Sequence, residues 1–221
     1  MSHAQEFLDI SVDDLPVRGF LHVPAGGGAN CLVLTHGAGA NAASPLLTAM
    51  AEAFCESGLI VLRCDLPFRQ ARPHGPPPRG SAERDQAGLR AAVASMRRQT
   101  PGRMFLGGHS YGGRQASMLV ADGAAEVEAL LLLSYPLHPP RRADELRTGH
   151  FSRLQTPALF VHGSRDPFGS IAEMEAALPL IPARTELLTV TGVGHELATR
   201  GNRESLAGNV AQAFLSFAGK R

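Results

Sequence analysis

Six short, largely apolar runs alternate with helical patterns along the chain, and this alternation limits the fold more than any other feature. The runs are Cys31–Thr35, Leu59–Arg63, Met104–Leu106, Ala129–Leu133, Ala158–Val161 and Glu186–Val190. Between and after them, the patterns predict helices over Leu46–Glu56, Ala82–Arg98, Arg114–Ala121, Ile171–Leu178 and Glu204–Phe217. Continuous apolar strands separated by amphipathic helices are what a parallel sheet covered on both faces requires. Right-handed crossovers make that an open, doubly wound α/β sheet. Upstream, Phe7–Val12 and Val17–Val23 alternate loosely around Asp13-Asp14-Leu15-Pro16, which predicts an N-terminal antiparallel hairpin.

A chain of 221 residues with 44% hydrophobic residues can bury one sizeable core, so one domain over residues 1–221 is expected. Its net charge of +1 gives no reason to expect nucleic acid or an anionic membrane as partner. No run approaches the ~18 apolar residues of a membrane span. The N-terminal residues MSHAQEFLDISVDDLP hold acids and no apolar core, so no secretory leader is expected. Cys31, Cys55 and Cys64 have no metal-ligand spacing and read as reduced thiols of a cytoplasmic protein. Gly26-Gly27-Gly28 lacks the Lys and Ser/Thr of a phosphate loop and reads as a turn. No cofactor is expected.

Two segments break the alternation. Pro67–Gly80 (PFRQARPHGPPPRG) is expected to be wholly irregular, and Tyr135–Pro157 to hold at most one short helix near Ala143–Thr148. Loops this long in a compact domain are more often functional than idle. Most of their arginines (Arg69, Arg72, Arg79, Arg141, Arg142) read as solvated charge, while one or two could orient an anionic or polar acyl substrate, with Arg69 and Arg141 the ones to test.

Ligands of open parallel sheets bind outside the carboxyl ends of the strands. His36, Asp65, Ser110, His162, Asp166 and His195 all fall just after strands in this reading. Ser110 lies in Gly108-His109-Ser110-Tyr111-Gly112, a G-x-S-x-G between a strand and a helix, the context that a nucleophile elbow needs. A serine nucleophile needs a base, and the base an acid behind it, in the chain order Ser, acid, His. His195 is the only histidine after Asp166, and Asp166 is the acid that sits at a strand end between Ser110 and His195. An oxyanion hole would take one N–H from Tyr111 and one from the glycine-rich loop after the first parallel strand, at Ala38 with Gly39 close behind. No H-x-x-x-H or H-x-H pair supports a metal hydrolase.

With these motifs in place, the chain resembles the α/β-hydrolase superfamily from about Val17 to Phe217. HGAGA, GGHSYGGR, YPLHPP and HGSRDPFG together look like one small, lidless branch of it. That branch holds bacterial hydrolase-like proteins, some dienelactone-hydrolase-like, and the hydrolase-like subunit of an animal chromatin acetyltransferase complex. The resemblance implies a hydrolase fold and a serine-type site on Ser110, Asp166 and His195. Dienelactone hydrolases proper resemble this layout but carry Cys where this chain has Ser110. The expected activity is cleavage of a small ester or thioester through an acyl-enzyme. The alternative is a hydrolase fold used as a scaffold or binding module.

Overall fold

The computed structural model of the chain describes residues 4–11 and 15–220. One eight-stranded sheet runs through it: β1 (Ala4–Asp9), β2 (Val17–His22), β3 (Cys31–Thr35), β4 (Ile60–Cys64), β5 (Met104–His109), β6 (Ala129–Leu133), β7 (Ala158–Gly163) and β8 (Thr185–Val190). Their spatial order is β1-β2-β4-β3-β5-β6-β7-β8. The strands from β3 to β8 run parallel, while β1 pairs antiparallel with β2, and β2 with β4. The expected hairpin is therefore present, although residues 12–14 between its strands lie outside the described residues.

Strand periodicity explains why the central runs are apolar without a break. Leu32 and Leu34 of β3 face a core shared with α1 (Pro45–Glu56) and α6 (Arg203–Gly219), through Leu47, Met50, Phe54, Val210 and Phe214. Cys31 and Val33 point to the opposite face, where α3 (Ala82–Gln99) and α4 (Tyr111–Ala121) bring Leu89, Met96, Ala116 and Leu119. Both faces of each central strand are thus buried, so most positions are apolar, and a charged exception such as Arg63 of β4 is hydrogen-bonded, to His22, Ala42 and Thr48.

The helices follow local rules. Pro45 occupies the first turn of α1, where its missing N–H costs no bond. In α3, Glu83 and Asp85 lie in the first turn and Arg97 and Arg98 in the last, each sign matching the helix dipole. Ser170 and Glu173 close a capping box on α5 (Ile171–Ala177).

Three expectations need correction. Residues 67–80 are not wholly irregular, because α2 (Pro67–Ala71) opens them. Pro67 is a helix breaker only in a helix interior; here it sits in the first turn, where its φ is already helical. The helical turn of residues 135–157 is a 3-10 turn at Phe151–Arg153, not at 143–148. Finally, α4 begins at Tyr111 rather than Arg114, so Ser110 directly precedes the helix.

Candidate active site

Ser110 joins β5 to α4 with φ 51° and ψ −116°, a backbone conformation that L side chains rarely adopt. Neighbouring glycines make room for this turn. A Cβ on Gly108 would lie 2.8 Å from backbone atoms of Gly112 and Gly113, so the strand end and the helix start touch backbone to backbone. The result lifts the Ser110 hydroxyl out of the sheet toward two other loops.

Those loops bring the residues that the sequence singled out. His195 Nε2 lies 2.7 Å from Ser110 Oγ, and His195 Nδ1 lies 2.8 Å from Asp166 Oδ2 and 3.0 Å from Oδ1. The carboxylate can only accept at neutral pH, so the ring proton sits on Nδ1 and Nε2 is left to accept from the serine. The Asp166 side chain is fully buried, and its Oδ1 also accepts the Phe168 N–H at 2.8 Å. Phe168 stacks on the His195 ring with centroids 4.2 Å apart, which limits the ring's rotation. Gly163 lets the two loops meet: a Cβ there would lie 2.5 Å from the Gly194 carbonyl oxygen.

The other histidines after strands serve the loops. His36 Nδ1 donates to the Gly37 carbonyl at 2.8 Å and Nε2 accepts the Leu66 N–H at 3.1 Å, which fixes a neutral tautomer. Burial also pushes its pKa down. His162 Nε2 donates to the Gly169 carbonyl at 2.7 Å and braces the loop that carries Asp166. Asp65 accepts the Ala42 N–H at 2.7 Å and lines neither cleft at Ser110. Burial pushes the Cys31 and Cys64 thiols up to about 12, far from the range of a reactive thiolate.

Ala38 and Tyr111 line one cleft together with Ser110. Among the described residues, neither backbone N–H is donated to an acceptor. Free N–H donors beside a candidate serine nucleophile are the arrangement that an oxyanion hole uses. Neither Arg69 nor Arg141 lines the two clefts at Ser110. Arg69 is buried and its guanidinium donates to the carbonyls of Ala38, Ala40, Arg72 and Gly75, while Arg141 is exposed. Arg114 and Arg147 line the cleft beside Ser110 instead. The sequence holds a signal for the first, since Arg114 lies four residues after Ser110 and so one helical turn along. It holds none for Arg147, which depends on the path of a long loop.

A family model described as "Alpha/beta hydrolase domain" matches residues 28–218, nearly the whole chain. The chain belongs to this alpha/beta hydrolase family. Solved structures share the fold of this alpha/beta hydrolase chain at low sequence identity. A dienelactone hydrolase from Anabaena variabilis is 22% identical with a TM-score of 0.76, over 97% of this chain and 98% of its own. Est1E from Butyrivibrio proteoclasticus with ferulic acid bound is 19% identical with a TM-score of 0.77, over 97% and 100%. The Pyrococcus furiosus esterase Pf2001 is 16% identical with a TM-score of 0.74, over 99% and 94%. Among the described residues of the alpha/beta hydrolase chain, no helix is long and apolar enough to cross a membrane, and no three His, Cys, Asp or Glu side chains group to hold a metal.

Proposed function

We propose that this protein is a serine-dependent carboxylic ester hydrolase, one domain over residues 1–221, which cleaves a small ester or thioester through a covalent acyl-enzyme. The observation that carries the reading is the unbroken hydrogen-bonded line from Ser110 Oγ through His195 to Asp166. Est1E, the esterase Pf2001 and a dienelactone hydrolase share the fold, which agrees with the chemistry without naming a substrate.

A serine hydroxyl is a weak nucleophile near neutral pH, and His195 Nε2 removes its proton as Oγ attacks the substrate carbonyl carbon. Asp166 keeps the ring tautomer in register and stabilises the imidazolium as it forms. The carbonyl oxygen gains charge and turns to the N–H groups of Ala38 and Tyr111, donors of a kind worth roughly 3 kcal/mol each. Tyr111 is also the first residue of α4, so the helix dipole favours negative charge there. When the tetrahedral intermediate collapses, His195 gives its proton to the leaving oxygen or sulfur, which departs as an alcohol or thiol. Water then enters, loses a proton to His195 and attacks the acyl carbon; His195 returns that proton to Ser110 Oγ as the C–Oγ bond breaks and the acid leaves.

Cavity size supports a small substrate. Two clefts of about 310 and 320 Å³ meet at Ser110, each sharing Ala38 and Phe168. The test is turnover of p-nitrophenyl acetate by the full chain beside Ser110→Ala and Asp166→Asn, each checked for native circular dichroism. The reading expects loss of turnover in Ser110→Ala and a large fall in kcat in Asp166→Asn. A folded wild-type protein with no turnover of any ester or thioester would favour the scaffold alternative.

A further inference from the structure

We propose that the arginine-lined cleft beside Ser110 binds a carboxylate carried on the acyl part of the substrate, so that the preferred ester is a half-ester of a dicarboxylic acid. This inference rests on the reading of Ser110 as the nucleophile, and it names the substrate class of that site.

The two clefts at Ser110 differ in charge. One contains His195 and Glu196, and the other Arg114 and Arg147. His195 must deliver a proton to the leaving group, so the leaving group occupies the cleft that His195 lines. The acyl chain then extends into the other cleft, past Ala38 and Tyr111, toward the arginines. Glu196 opposes an anion on the leaving-group side. The polarity across Ser110 therefore places a negative charge on the acyl side and a neutral alcohol opposite.

Both arginines lack an acidic partner. Neither forms an ion pair among the described residues, and both are half-buried. Arg114 Nε is buried without a hydrogen-bond acceptor. The Arg147 guanidinium has only a 3.5 Å reach from Nη1 to the Pro136 carbonyl. Glu145, the acid nearest Arg147 in sequence, is held by Arg142 at 2.8 Å. Burial and the charge of Arg114 push the Arg147 pKa down, as expected for like charges sharing a partly dry site. Meanwhile the backbone that carries Arg147 is tied in place, because its N–H donates to the Leu137 carbonyl at 2.7 Å and its carbonyl accepts the Tyr135 hydroxyl at 2.7 Å. Two guanidiniums without an ion-pair partner, one of them on an anchored loop, are suited to a planar carboxylate, which a guanidinium can bind through two N–H donors.

The experiment compares monoethyl succinate, glutarate and adipate with ethyl butanoate, pentanoate and hexanoate, following acid release by the full-length protein. In parallel, glutarate binding to folded Ser110→Ala is measured by calorimetry. The expected result is at least a tenfold higher kcat/KM for the best half-ester over its neutral counterpart. That ratio should fall toward one in Arg114→Met and in Arg147→Met, and glutarate binding to Ser110→Ala should be lost when either change is added. The two arginines come from different elements, so a folding failure in one variant leaves the other as the test. Equal turnover of acidic and neutral esters, with no glutarate binding, would overturn the inference and leave the hydrolase reading standing. Arginine-dependent glutarate binding without turnover of any ester would do the reverse.

Discussion

The Arg69 guanidinium donates to the Ala38 carbonyl at 2.8 Å and to the Ala40 carbonyl at 2.7 Å, holding the loop beside Ser110 from behind. A loop that presents an N–H to a developing oxyanion must stay in place to within a fraction of an ångström. Arg69→Met removes the clamp and leaves these carbonyls without their charged donor. A displacement of ~1 Å costs on the order of a hundredfold in rate, so kcat should fall ten- to a hundredfold. The ratio between acidic and neutral esters should hold, because Arg69 does not line the acyl cleft. A changed ratio with unchanged kcat would return Arg69 to substrate binding.

Gly163 is where the acid loop and the histidine loop touch. An alanine Cβ there would lie 2.5 Å from the Gly194 oxygen and 2.6 Å from that of Val193, both rigid backbone. Gly163→Ala should push His195 away from Asp166 and lower kcat by roughly a hundredfold. A crystal structure of the variant would show whether the Nδ1 to Oδ2 separation has lengthened from 2.8 Å.

Asp85 is a buried acid outside the reacting line. It accepts the Phe68 N–H at 3.0 Å and the Tyr111 hydroxyl at 2.7 Å, joining α2, α3 and the start of α4. Asp85→Ala strands both donors, and each lost bond to a charged group is worth ~1.5–3 kcal/mol. Urea unfolding should show a loss of about 3 kcal/mol in unfolding free energy, seen as a lower midpoint with an unchanged m-value.

Acid should weaken the fold through two histidines. Burial, aided by Arg63, lowers the His22 pKa to about 4, and burial, aided by Arg114 and Arg153, does the same for His150. His22 Nε2 accepts from Arg63 Nε at 3.0 Å, so protonation would break that bond. Because the unfolded pKa is ~6.5, the unfolded chain binds these protons first. The stability of neutral His22 and His150 is complete above pH ~6.5 and is lost as pH falls toward about 4. Thermal midpoints recorded between those limits should drop less in His22→Gln or His150→Gln than in the wild type.

The sheet was legible because burial on both faces forces apolar runs such as Cys31–Thr35 and Ala129–Leu133. Ser110, Asp166 and His195 were legible because a nucleophile elbow and its chain order leave few candidates. What escaped depends on how the long loops travel. Helix α2 was hidden because prolines dominate residues 67–80, although one proline in a first turn costs nothing. Arg69 read as loop charge or as a group that orients substrate because its acceptors are backbone carbonyls, which no side-chain pattern reveals. Arg147 reaches the cleft only through the Tyr135 and Leu137 bonds that fold its loop back.

Every catalytic step proposed for this site depends on Ser110 being an activated nucleophile. Intact-mass analysis after treatment with a fluorophosphonate tests this directly. The account predicts one adduct per chain, mapped to Ser110, absent from Ser110→Ala and slowed at least a hundredfold in His195→Ala. A folded wild-type protein that takes no label, or takes it on another residue, would contradict it.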